Sequence, residues 1–183
     1  MAKKNQAEEI MNAAIKLITN NGYSNVSLRD IANEAGVALS QLNYYYKNKE
    51  GMFAAVIKEI AAKNLKYIEN ALKSGESAKE KFDNLLRFFE ETIEKAPENL
   101  RLLVDLTSMA LWSDTFKKLL NSFYEEVAKL IETHVSSELN SKHSSIDIAK
   151  TIFASIYGIA MQSLMNPFNK KVSLNHLEVI VNT

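Results

Sequence analysis

Between residues 40 and 45 only Leu42 lacks a polar group: Ser40, Gln41, Asn43, Tyr44 and Tyr45 all hydrogen-bond, and none carries a charge. Carboxamides such as Gln41 and Asn43 can pair with N6 and N7 of adenine, while a tyrosine can meet a phosphate or a thymine methyl group. Cations lie close by. Arg29 falls in the first turn of one helix, and Lys47 and Lys49 bracket the start of another, where exposed amides and the helix dipole favour anions. The chemistry these residues can do is contact with nucleic acid, not turnover. The chain has no glycine-rich phosphate loop, no nucleophile elbow and no carboxylate pair at evident catalytic spacing, so catalytic residues are not expected. Zero cysteines exclude disulfides and thiolate zinc sites, and His143 and His176 have no second ligand at useful spacing. No metal or other cofactor is therefore expected.

The elements that must hold these residues are helices. Ile10, Met11, Ala14, Ile15 and Ile18 recur at helical spacing from Ala7 to Thr19, and Asn20-Asn21-Gly22 stops them. Ser27 and Asp30 stand at capping-box spacing ahead of a short helix from Leu28 to Glu34. Ala35-Gly36-Val37 makes a tight turn, and a second short helix runs from Leu39 to Tyr46 with Leu42 inward. Asn48 then caps a helix whose apolar stripe is Met52, Phe53, Val56, Ile57 and Ile60. Two short helices about a tight turn, supported on both sides, are the arrangement of a helix-turn-helix.

At this point the residues resemble a known family. Gly22-Tyr23, Ser27 to Ala32, Ala35-Gly36-Val37, Leu42, Tyr44-Tyr45-Tyr46 and Asn48 to Phe53 look, in order and spacing, like the DNA-binding domain of TetR-family transcriptional regulators. The resemblance covers about the first third of the chain. It implies a homodimer on a pseudo-palindromic double-stranded DNA operator, with a C-terminal domain that holds a small-molecule effector and the dimer interface. Ser27, Arg29, Ser40, Gln41, Asn43, Tyr44, Tyr45 and Lys49 fall where family members touch DNA. Three positions depart from the family pattern. Ala38 replaces the usual hydroxyl residue before the reading helix, Asn43 stands where an aromatic residue is frequent, and Tyr44 where histidine is frequent.

The rest of the chain also reads as helices: Ala78 to Lys95, Pro97 to about Ala110, Thr115 to Leu139, Ile146 to Met165 and an amphipathic end from Leu174 to Val181. The expectation is an all-α protein, with a three-helix helix-turn-helix domain over residues 1–50 and a larger helical ligand-binding and dimerisation domain over 51–183. A cavity in the second domain would draw on Phe89, Thr92, Met109, Trp112, Phe116, Phe123, His134, Phe153 and Tyr157; the rings would supply apolar wall, and the threonine and histidine would orient a guest. Ala154 and Gly158, four apart, continue into Met161 and Met165 as a seam for close helix approach, with Leu177 as its terminal partner. The function expected is a repressor released from its operator by an apolar or amphipathic molecule. The alternative is a DNA-binding activator or protein-interaction module without such a ligand.

Charge is uninformative in bulk, 22 basic against 22 acidic residues. Through Glu50 the basic residues Lys3, Lys4, Lys16, Arg29, Lys47 and Lys49 face Glu8, Glu9, Asp30, Glu34 and Glu50, so the useful cations are placed at helix starts and not massed. Lys3-Lys4 lead into polar residues instead of an apolar signal core, and the stretch Ile152 to Met161 is far short of the ~20 residues that span a bilayer. A cytoplasmic protein without membrane attachment is expected.

Overall fold

Five glycines and two prolines in 183 residues leave few interruptions to helical hydrogen bonding, and the backbone follows that composition. The computed structural model describes residues 2–166 and 172–181, with side chains from residue 6 onward. Among them the helices are α1 (Ala2–Asn21), α2 (Leu28–Glu34), α3 (Leu39–Tyr45), α4 (Lys49–Lys73), α5 (Ala78–Lys95), α6 (Pro97–Ala110), α7 (Asp114–His134) and α8 (Ser145–Met165). Short 3-10 turns occupy Tyr23–Asn25, Ser136–Glu138 and Asn175–Ile180. No strand occurs among the described residues.

The chain divides into two compact units, one of Met1–Ala61 with Arg101–Leu120, the other of Ala62–Leu100 with Asn121–Thr183. The expected boundary after residue 50 is thus not where the units part. The first unit keeps the start of α4 and takes in the end of α6 and the start of α7, because Leu102, Leu106, Phe116 and Leu120 are buried there. Its other buried residues include Ile10, Ala14 and Ile18 of α1, Ile31 and Ala32 of α2, Leu42 of α3, and Met52, Phe53, Val56 and Ile57 of α4. Each of these side chains larger than alanine contributes about 1.5–3 kcal/mol on leaving water.

Two glycines shape this unit. Gly36, at φ 66°, follows α2; its amide bonds the Asn33 carbonyl and the Val37 amide bonds that of Ala32, so the helix ends in a Schellman turn that re-aims the chain into α3. Gly22, at φ 79° and ψ 158°, follows α1 in an extended positive-φ conformation that glycine alone adopts readily.

In the second unit Ile68 and Leu72 of α4, Phe82, Leu85 and Leu86 of α5, Val127 and Ile131 of α7, and Ile152 and Ile156 of α8 form one core with Leu174 and Leu177. The helix expected to reach Leu139 stops at His134, since Val135 leaves the helical region at φ −127°, ψ −71°. The buried Ser136 hydroxyl then donates to the Ser145 carbonyl at 2.7 Å. The terminal segment is a 3-10 turn, not an α-helix. By length and composition alone α8 could cross a membrane, but Ile148, Ala149, Ile152, Phe153, Ile156 and Ala160 bury one side of it within the unit.

Candidate nucleic-acid interface

Helix α2 begins with a complete capping box. The Ser27 oxygen accepts the Asp30 amide at 3.2 Å, while the Ser27 amide and hydroxyl donate to the Asp30 carboxylate at 2.9 and 2.6 Å. These bonds, with smaller help from Arg29 and Lys49, hold the Asp30 carboxyl below its ordinary range. They also spend Ser27's donors on Asp30, at the start of α2. Arg29, next along, is exposed.

Helix α3 is pinned by Leu42, which is fully buried, and turns Ser40, Gln41, Asn43 and Tyr44 outward, Tyr44 to 75% exposure. Tyr45 is half-buried and meets Tyr44 edge-on, ring centres 5.3 Å apart. Tyr46 is also half-buried, and burial pushes its phenol above the ordinary value. Ala38 cannot cap through a side chain. The Gln41 carboxamide oxygen compensates by accepting the Ala38 amide at 2.9 Å, one half of a capping box.

At the head of α4 the Asn48 side chain accepts the Gly51 amide at 2.7 Å. The Lys49 ammonium lies 4.3 Å from the centre of the Tyr23 ring, a cation–π contact that steers the lysine while leaving its charge in place. Tyr23 in turn packs on Phe53 at 4.4 Å, and Phe116 closes the triangle at 5.5 Å from Phe53 and 6.3 Å from Tyr23. Burial, then the Glu50 carboxylate, raise the Tyr23 phenol. The Tyr23 amide donates to Asp105 at 3.2 Å, and the Ser113 hydroxyl donates to Glu50 at 2.9 Å. Asp105, Ser113 and Phe116 therefore support Tyr23, Phe53 and the head of α4. No local spacing announces them, since Tyr23 and Asp105 stand 82 residues apart.

The residues expected to line a cavity do not all come together. Phe89 of α5, Phe123 of α7, and Phe153 and Tyr157 of α8 converge with Phe88 and Tyr124, neighbouring ring centres lying 5.3–6.4 Å apart. Thr92 shares α5 with Phe89, and its hydroxyl donates back to the Phe88 carbonyl. His134 lies 11 residues from Phe123 on α7, about 16 Å along the axis. Met109, Trp112 and Phe116 belong to the first unit. There Phe116 is core, and Trp112 is 89% exposed and encloses nothing. Phe116 and Trp112 are corrected accordingly.

On α8, Ala154 is exposed, Gly158 and Met161 are partly so, and Met165 is 72% exposed. A Cβ placed on Gly158 would meet nothing within 4 Å. Leu177 is the correction in this set: it is buried with Leu174 in the core of its own unit and offers nothing to a second copy. Among the described residues no cluster of three or more metal-ligating side chains occurs.

A rigid short helix with a polar outer face, mounted on a second helix through a Schellman turn and flanked by helix starts bearing Arg29 and Lys49, defines a helix-turn-helix DNA-binding protein. Known proteins narrow the class. Residues 10–56 match the family model for bacterial regulatory proteins of the tetR family. The chain is 24% identical over 181 residues to the HTH-type transcriptional regulator PksA of Bacillus subtilis, covering 94% of this chain and 88% of that one. It is 34% identical over 79 residues to the Fatty acid metabolism regulator protein of the same species, 43% of this chain and 41% of that one. Its fold matches SCO7518 from Streptomyces coelicolor A3(2) with a TM-score of 0.80 at 20% identity, over 97% and 99% of the two chains. Residues 10–56 thus carry a DNA-binding domain of the tetR type, and the relative matched over most of its length is a transcriptional regulator.

Proposed function

We propose that this regulator acts in the cytoplasm as a homodimeric repressor, released from a pseudo-palindromic operator by a small apolar or amphipathic molecule. The observation that carries the DNA half is the outer face of α3, with Ser40, Gln41, Asn43 and Tyr44 exposed on a helix that Leu42 anchors. Two such helices enter successive major grooves one helical turn apart. Arg29, Tyr45 and Lys49 serve the backbone from either side, and Ser27 sets α2 for them. The DNA-reading part comprises residues 1–61 together with the supporting stretch 101–120.

The effector half draws support from the six rings of α5, α7 and α8, all but Phe153 only partly buried, and from the relative whose name refers to fatty acid metabolism. Dimerisation draws on the α8 face of Ala154, Gly158, Met161 and Met165, apolar side chains that a second copy would cover. An effector loosens DNA binding only by preferring the conformation with the wrong α3 spacing.

Selection of bound duplexes from genomic DNA, followed by titration with long-chain fatty acids and their esters, tests both halves. The expected result is a palindromic site, one dimer per site by sedimentation, and a weaker complex as an acyl compound is added. An effector screen in which no hydrophobic molecule changes operator affinity would remove the sensing half and leave a constitutive regulator.

A further inference from the structure

Gln41 holds two hydrogen-bonding roles at once, and the first restricts the second. A helix as short as α3 depends on its opening turn, and Ala38 has no hydroxyl to close it. The Gln41 amide bonds back to the Ala38 carbonyl, and the Gln41 side chain receives the Ala38 amide at 2.9 Å. A backbone N–H can bond only to Oε1 of a carboxamide, never to Nε2. Ala38 therefore sets which end of the exposed Gln41 side chain faces outward: the Nε2 group, with two donors.

A glutamine that pairs with adenine in the usual bidentate way must offer an oxygen to N6 and a nitrogen to N7. Here the oxygen is engaged at the helix start, and turning it to adenine gives up the bond that replaces the missing cap. Guanine, with O6 and N7, and thymine, with O4, offer only acceptors at the positions in question. We propose that Gln41 reads a keto base, guanine or thymine, by donation from Nε2 while its Oε1 positions the start of α3. The proposal rests on the DNA-binding reading above and adds the polarity of one contact to it.

The test is selection from fully randomised double-stranded DNA by the full-length protein and two variants, with circular dichroism to verify helix content. Wild type is expected to enrich guanine or thymine at one position per half-site, by about 5- to 150-fold over the amino bases. Gln41→Glu keeps an oxygen for Ala38 and turns a second oxygen outward, so preference at that position should switch to cytosine or adenine, whose amino groups donate. Gln41→Met, similar in length but without donor or acceptor, should lose preference at that position alone. A wild-type preference for adenine or cytosine at the position that responds to residue 41 would overturn the proposal. So would an unchanged preference in Gln41→Glu, or the lack of any position sensitive to residue 41. If wild type enriches no sequence at all, the DNA-binding reading falls with it, an outcome distinct from enrichment that ignores Gln41.

Discussion

Truncating Phe116 to alanine separates two accounts of that side chain. By its spacing it belongs to an effector cavity, yet it is 2% exposed within the first unit, with ring centres 5.5 Å from Phe53 and 6.3 Å from Tyr23. Removing a buried phenylalanine costs about 3–5 kcal/mol, the transfer of the ring plus the hole it leaves. The two edge contacts, roughly 0.5–1.5 kcal/mol each, are already contained in that range. Against the ~5–15 kcal/mol of a typical domain, Phe116→Ala takes from a fifth of the stability to nearly all of it. Urea denaturation gives the total, and hydrogen exchange shows where it is lost. Amides of α1 and of the start of α4, whose neighbours are Tyr23 and Phe53, should exchange faster, while those of α5 and α8 keep their protection. Operator affinity should fall in step with the folded fraction of the first unit, and affinity for an effector should not change. A loss below ~1 kcal/mol, or faster exchange confined to α5 and α8, would refute the packing account and return Phe116 to the effector site.

Three further outcomes follow from the same geometry. Asp105→Ala leaves the half-buried Tyr23 amide without its acceptor, and should cost about 1–2 kcal/mol of stability by denaturation and weaken operator binding although residue 105 touches no DNA. Asp30 is ionised in the fold to more acid pH than in the unfolded chain, because Ser27 donates to it twice. Its contribution is complete above the unfolded value near ~4 and is lost as pH falls through the lower folded value, so Asp30→Asn should flatten the decline in stability seen by urea titration between neutral and acid pH. With Arg29, Lys47 and Lys49 as the cations of each subunit, log affinity against log salt should have a slope of about −5 for a dimer; a slope near −10 by fluorescence anisotropy would mean phosphate contacts beyond this set.

The helix-turn-helix was legible because its determinants are local. Ser27 and Asp30 are three residues apart, Gly36 follows its helix directly, and Leu42 is the one aliphatic position in its helix after the first, so capping, turn and inward face could each be read without knowing the rest of the chain. The polar face of α3 was legible for the same reason. What could not be read lies at long range or turns on competition between uses. Asp105 and Phe116 support Tyr23 and Phe53 from the second half of α6 and the beginning of α7, and aromatic or acidic side chains at helical spacing carry no mark of which unit will bury them. Leu177 shows the same ambiguity, since an apolar residue in an amphipathic terminal segment suits a subunit seam and an internal core equally well. His134 stands three turns along α7 from Phe123, a separation that a shared inward face does not reveal. Ala38 was legible as a missing cap, but the answer to it, the Gln41 side chain, emerges only when the backbone brings the two groups to 2.9 Å.

The most direct measurement of the central claim, that α3 reads the operator, is the affinity of full-length protein for its selected duplex and for a scrambled one, compared between wild type and a Gln41→Ala, Tyr44→Ala double variant. Wild type should discriminate by about 10³-fold or more, and the double variant, folded and dimeric by circular dichroism and sedimentation, should bind both duplexes alike. A double variant that still prefers the selected duplex by the wild-type factor would contradict the assignment of α3 as the reading helix.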